Sequence, residues 1–227
     1  MLKNLTFTIF MLLPAWLTAE KAFELDTPDK KISYAMGLDL AHSLSQADSN
    51  LDLQMLIMGL KDGTAGKPKL SMEEINQIKQ DFVKQKQTER EARMKAAGEK
   101  NKQEGEAFLK ANSLKEDVKT TPSGLQYTVL KQGSGPSPKP TDKVKVHYRG
   151  TLVDGTEFDS SYSRNHPIEF PLDGVIAGWT EGLQLMNTGS KYRFFIPPNL
   201  AYGEQGAGGK IGPNATLIFD VELLEIK

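Results

Sequence analysis

Cysteine is absent from this 227-residue chain, which excludes disulfides, thiolate metal ligands and a cysteine nucleophile together. An excess of charge of either sign is also missing, since 28 basic side chains face 29 acidic ones. That balance leaves no electrostatic footprint for nucleic acid or an anionic membrane. Histidine is scarce, and His42, His147 and His166 stand far apart without ligand-like spacing. No metal and no cofactor is therefore expected.

What is present begins with an address. One early lysine, Lys3, precedes an apolar run from Leu5 to Leu17 and a small residue, Ala19. This reads as a secretory signal covering residues 1–19. The alternative is a membrane anchor, but the run falls short of the roughly 20 apolar residues that span a bilayer and contains Pro14. Without a cysteine at the junction a diacylglyceryl anchor is excluded, and no membrane span is expected in the mature protein.

From Thr27 the periodicity becomes helical. Thr27 suits a cap, Pro28 the first helical position, and Ile32, Met36, Leu40 and Leu44 recur every four residues. A second short helix follows Asp52, with Leu53, Leu56, Ile57 and Leu60 on one face. Two short amphipathic helices bury little alone, so residues 20–70 read as a helical dimerisation region. The competing reading packs the stripe on another part of the same chain.

Ser71-Met-Glu-Glu74 forms a capping box that opens a third, much longer helix, residues 71–112. At 1.5 Å per residue it extends about 60 Å. From Lys84 to Glu106 large apolar residues almost vanish, so this stretch reads as a solvated connecting arm. Gly98 and Gly105 each cost about 1 kcal/mol relative to alanine in a helix. They are either flexible points or tolerated weak spots.

After residue 112 the composition shifts to short β-forming runs punctuated by turn residues. Leu125 to Lys131 is one strand. In Lys143 to Thr151, Val144, Val146 and Tyr148 share one face while Lys145, His147 and Arg149 take the other, which puts His147 towards solvent. Tyr192, Phe194 and Ile196 alternate, as do Leu217, Phe219, Val221 and Leu223. The expectation is an α+β fold: a twisted, mainly antiparallel sheet of about five strands wrapped on one short helix, preceded by an all-α region. The helix carries Val175, Ile176, Trp179, Leu183 and Met186 on one face, within Gly174-Val-Ile-Ala-Gly-Trp-Thr-Glu-Gly182. On its own that stretch reads as a core helix, and Trp179 as a core side chain.

Five motifs in register change that reading: Val-His-Tyr-Arg-Gly-Thr-Leu152, Asp-Gly-Thr-Glu-Phe-Asp-Ser-Ser161, Val-Ile-Ala-Gly-Trp-Thr-Glu-Gly182, Ile-Pro-Pro-Asn-Leu-Ala-Tyr-Gly203 and Ala-Thr-Leu-Ile-Phe-Asp-Val-Glu-Leu223. In this order they resemble the FKBP family of peptidyl-prolyl cis-trans isomerases (rotamases), and residues 113–227 become an isomerase domain. The architecture ahead of it resembles the bacterial macrophage infectivity potentiator (Mip) subfamily. That likeness implies a homodimer through residues 20–70, and the signal segment implies a periplasmic protein, with outer-membrane display or secretion open.

The resemblance further implies a pocket of Tyr148, Phe158, Asp159, Tyr202 and Phe219 around the chemistry, with Val175, Ile176 and Trp179 binding substrate. Arg164, Ile168, Phe170 and Ile211 would edge it. Ile168 departs from the aromatic often found there, and Lys210 stands where some relatives are apolar. Rotation about X-Pro breaks no bond and needs only the loss of amide resonance, a barrier of roughly 18–20 kcal/mol. A chain without nucleophile or metal suits that task. The implied partners are proline-containing unfolded or partly folded proteins, and FK506- or rapamycin-type macrolides as inhibitors. An exported chaperone that docks proline-containing clients without catalysis is the alternative.

Overall fold

The structure is a computed structural model describing residues 24–45 and 51–227, so the expected signal segment, residues 1–19, lies outside the described residues. The chain divides into two units, Met1–Ser71 and Met72–Lys227.

In the first unit, helix α1 spans Pro28–Ser45 and helix α2 spans Leu53–Thr64. Each starts on the residue whose side chain can satisfy orphan amides. Thr27 Oγ1 accepts from the Lys30 amide at 3.3 Å, and Asp52 Oδ1 accepts from the Gln54 and Met55 amides at 2.9 and 3.1 Å. Neither helix contains a buried residue. The apolar stripe lies open, with Ile32, Met36, Leu53, Ile57 and Leu60 all exposed.

The second unit opens with helix α3, Met72–Asn112. Its early part is exposed and carries pairs such as Lys86 with Glu89 at 3.1 Å, contacts that contribute little individually. From Gly98 onward α3 is packed rather than solvated. Gly98, Gly105 and Asn112 are buried, with Asn101, Phe108 and Leu109 half-buried between them, a spacing of three and four that defines one helix face. Asn101 Nδ2 donates to the Pro213 carbonyl at 2.8 Å, and Gln126 Nε2 donates to the Leu109 carbonyl at 3.0 Å. Asn112 Nδ2 donates to Gln126 Oε1 at 2.9 Å, and the rings of Phe108 and Phe195 lie 5.8 Å apart.

The two glycines are thus close-approach sites, neither flexible points nor weak spots. A Cβ on Gly105 would stand 2.4 Å from Thr216 Oγ1, and one on Gly98 would stand 3.2 Å from the Pro213 Cβ.

The rest of this unit contains β1 (Lys119–Thr120), β2 (Gln126–Lys131), β3 (Lys143–Leu152), β4 (Glu157–Ser160), β5 (Ile168–Pro171), helix α4 (Ala177–Gln184), β6 (Lys191–Ile196) and β7 (Leu217–Ile226). Every pairing is antiparallel, in the order β1-β2-β6-β7-β3-β4, with β5 also on β3. β5 pairs with Lys143 to Val146 and β4 with Arg149 to Thr151, so the two share one edge of β3. Five rows of strands plus the two-residue β1 account for the sheet expected from the sequence.

Alternation selects the buried face. Val144, Val146 and Tyr148 of β3, Tyr192, Phe194 and Ile196 of β6, and Leu217, Phe219, Val221 and Leu223 of β7 form one core with Leu172, Trp179, Leu183 and Met186. Burying each large side chain contributes about 1.5–3 kcal/mol. Helix α4 lies close on this face because Gly178 and Gly182 point at it. A Cβ there would come within 2.5 Å of Ile196 Cγ2 and 2.7 Å of Phe194 Cε1.

Candidate active site

Where α4 crosses the sheet, the core opens to the surface as a pocket of about 610 Å³, a size ordinary for a small-ligand site. Trp179, 5% exposed, forms its floor. The indole is held by three rings: Tyr148 and Phe219 meet it edge-on at 5.3 and 5.1 Å, and Phe170 lies tilted at 5.3 Å. Phe158 in turn meets Phe219 edge-on at 5.4 Å. These rings close over β3 because residue 150 is glycine. A Cβ there would collide with Phe158 and Phe219 carbons at 2.6–2.7 Å.

One rim is the start of α4. Val175 and Ile176 line it, and the Ile176 carbonyl accepts from the Trp179 and Thr180 amides at 2.9 and 3.1 Å. Thr180 Oγ1 donates to the Leu172 carbonyl at 2.7 Å and fixes the helix start. The Ile176 amide itself finds no acceptor among the described residues.

The opposite rim is the loop from Tyr202 to Asn214. It is closed on itself by paired Ala207 and Ile211 backbone bonds at 2.8 and 3.0 Å, and by the Asn214 amide donating to the Gly203 carbonyl at 2.8 Å. Tyr202, Ala207, Gly208, Lys210 and Ile211 line the pocket from this side. Tyr202 is 41% exposed, and its hydroxyl has no partner among the described residues.

The third side carries the charge. Asp159 Oδ1 accepts from Arg164 Nη1 at 2.5 Å and from the Ser160 amide at 2.8 Å, while Oδ2 accepts from the Tyr148 hydroxyl. Arg164 Nη2 donates to the Tyr148 oxygen at 2.8 Å. A turn brings Arg164 back, with Asn165 in the left-handed region (φ 52°) and its amide on the Tyr162 carbonyl at 3.0 Å. Asparagine tolerates that conformation. Burial pushes the Asp159 carboxyl up, but the Tyr148 hydroxyl, Arg164 and the Ser160 amide outweigh it and hold the carboxyl below its ordinary range. Burial, then the bond to Asp159, pushes the Tyr148 phenol up. Both shifts favour an ionised Asp159 and a neutral Tyr148 at neutral pH.

The pocket is therefore apolar and floored by an indole, with an acceptor-less amide and a partner-less hydroxyl on its rims among the described residues. Comparison with known proteins gives the family. Residues 135–224 match the family described as FKBP-type peptidyl-prolyl cis-trans isomerase, and residues 29–129 match the domain amino terminal to it. The FKBP-type peptidyl-prolyl cis-trans isomerase FkpA of Aeromonas hydrophila is 47% identical over 91% of this chain and 78% of its own length. The peptidyl-prolyl cis-trans isomerase Mip of Coxiella burnetii is 44% identical over 92% of each. The crystal structure of FkpA from Escherichia coli superposes with a TM-score of 0.69 at 42% identity, covering 90% of this chain and 99% of that one.

The chain belongs to the FKBP-type peptidyl-prolyl cis-trans isomerases.

In this isomerase the residues implied by the motifs converge. Tyr148, Phe158, Asp159, Ile168, Val175, Ile176, Trp179, Tyr202, Ile211 and Phe219 all line one cavity. Phe170 stands behind Trp179 rather than on the pocket surface, and Arg164 acts through Asp159 and Tyr148. Ala207 and Gly208 also line the cavity, outside the motifs quoted above. The Gly206-Ala-Gly-Gly209 run was the available signal for a backbone-lined rim.

His147 is half-buried rather than fully solvent-facing. Its ring stacks on Tyr162 at 4.7 Å, and Nδ1 lies 2.9 Å from Ser161 Oγ. It supports the back of the Tyr148 strand and does not enter the pocket.

Proposed function

We propose that this isomerase seats the proline ring of its substrate on the indole of Trp179, walled by Val175, Ile176, Tyr148, Phe158 and Phe219, and turns the preceding peptide bond there. Two polar groups hold the flanking chain: the Ile176 amide donates to one substrate carbonyl and the Tyr202 hydroxyl to another. Fixing both flanks leaves a single rotation free. The planar amide is more dipolar than the twisted one, so a dry apolar pocket raises the ground state relative to the transition state. Asp159 is a positioning residue in this scheme. Its lone pairs are occupied by Tyr148, Arg164 and the Ser160 amide, and through Tyr148 it keeps the aromatic wall in place.

The observation that carries the reading is the pairing of an acceptor-less Ile176 amide with a partner-less Tyr202 hydroxyl across an apolar floor. FK506- and rapamycin-type macrolides fit the same groups and would compete with peptide. The test is acceleration of cis to trans conversion in an X-Pro peptide, blocked by such a macrolide. Absence of acceleration at micromolar protein defeats the reading.

The remaining proposals concern delivery. The exposed stripe of Ile32, Met36, Leu53, Ile57 and Leu60 supports homodimerisation through residues 20–70, with residues 71–112 as the connecting helix and residues 113–227 as the isomerase domain. The segment 1–19 supports export to the periplasm. No helix among the described residues is long and apolar enough to cross a membrane, and one relative, from Legionella longbeachae, bears the name outer membrane protein MIP. The same stripe favours a second activity, folding-chaperone capture of unfolded or partly folded proline-containing clients. Deleting residues 20–112 separates the two, because aggregation suppression that survives the deletion does not come from the arms.

A further inference from the structure

One cation on the pocket rim lacks a counter-charge. Lys210 lies on the loop from Tyr202 to Asn214, lines the pocket, and donates from Nζ to the Phe158 carbonyl at 3.3 Å. Among the described residues no carboxylate pairs with it. Asp159, the one carboxylate among the lining residues, has both oxygens occupied and its charge met by Arg164. The rim therefore carries a net positive charge at Lys210, on an otherwise apolar cavity whose low polarity weakens screening.

The position of that charge selects a part of the substrate. With the proline ring on Trp179, the carbonyl that swings belongs to the residue before proline, and it swings against the wall of Tyr148, Phe158 and Phe219. The Lys210 ammonium sits at the backbone of Phe158, part of that wall, so the residue whose carbonyl swings is the one whose side chain the charge would meet. We infer that Lys210 is a specificity-determining residue that makes this isomerase turn over a peptide with glutamate immediately before proline faster than its glutamine isostere. The inference rests on the seating of proline at Trp179 proposed above.

The pair formed would be partly exposed, so its expected effect is about 1.5- to 5-fold in kcat/KM. Salt should erode it, since the screening length falls to about 3 Å at ~1 M.

The experiment compares peptides carrying Glu, Gln or Leu before proline, with a control pair carrying Glu or Gln after it, using the full-length mature protein at neutral pH. The Glu-to-Gln ratio of kcat/KM cancels any general change in activity. The ratio is expected above one at low salt and near one at high salt, to collapse to one in Lys210→Gln, and to fall below one in Lys210→Glu. A ratio that is the same in the wild type and Lys210→Gln overturns the inference while leaving the isomerase reading intact. A preference that appears only when Glu follows proline overturns the placement. Failure to accelerate any of the three peptides defeats the proline-seating reading itself, and the inference falls with it.

Discussion

Asn101 donates its side-chain amide to the backbone carbonyl of Pro213 across 2.8 Å, joining α3 to the base of the loop that forms one rim of the proline pocket. The contact turns the last four turns of α3 into part of the isomerase unit. A chain beginning at residue 113 is expected to be less stable than one beginning near residue 97, because it loses Phe108 from Phe195 and the Asn112 and Leu109 partners of Gln126. Chemical denaturation of the two fragments measures the difference. Equal midpoints contradict the strut.

Gly105→Ala gives a test of opposite sign to simple propensity. In an exposed helix alanine would add about 1 kcal/mol of stability. Here the new Cβ meets Thr216 Oγ1 at 2.4 Å, and overpacking of this kind costs about 1–3 kcal/mol. A lowered unfolding midpoint is expected, and a raised one refutes tight packing at this face.

Tyr202→Phe and Trp179→Ala should separate chemistry from stability. Tyr202 is exposed and unpartnered, so removing its hydroxyl should leave the unfolding midpoint unchanged while lowering kcat/KM by about 2- to 10-fold, the worth of one hydrogen bond. Trp179 is core as well as floor, and its truncation should cost about 3–5 kcal/mol of stability along with activity. Unchanged activity in Tyr202→Phe would remove the hydroxyl from the substrate-holding role.

The pH dependence follows from Asp159. Its folded-state pKa lies below the unfolded one, so the carboxylate stabilises the site at all pH values above the unfolded pKa, about 3.9 for a free aspartate. That contribution is lost as pH falls through the folded value. The stability gap between the wild type and Asp159→Asn should be present at pH 7 and shrink towards pH 3. The difference removes the background from other lowered carboxylates such as Glu169. A gap that grows on acidification contradicts the frame of Tyr148, Asp159 and Arg164.

Light scattering on the mature chain tests the paired arms. A dimer is expected, with Met36→Glu or Leu60→Lys shifting it to monomer while peptide isomerisation by the pocket persists. A monomeric wild type rules the pairing out.

Periodicity made much of this molecule legible. The alternation of Val144, Val146 and Tyr148, and of Leu217, Phe219, Val221 and Leu223, defined the buried face, since side chains on a strand must alternate. Thr27, Pro28 and Asp52 marked helix starts through chemistry local to the chain. The five motifs in register named nearly the whole pocket. The docking of α3 escaped because, Phe108 and Leu109 aside, its contact face is made of Gly98, Asn101, Gly105 and Asn112, which register as weak or polar on any hydropathy scale. Gly98, Asn101 and Gly105 work by close approach and hydrogen bonding to partners over a hundred positions away, a pattern without a local signature.

The sequence by itself determined the alternation, the caps, the lack of cysteine chemistry, and the family. Only the tertiary structure decided that Phe170 stands behind Trp179, that Arg164 reaches the pocket through Asp159, and that Gly98 and Gly105 bind rather than bend. Each of those depends on distances between segments far apart in the chain, which packing sets and neighbouring residues do not.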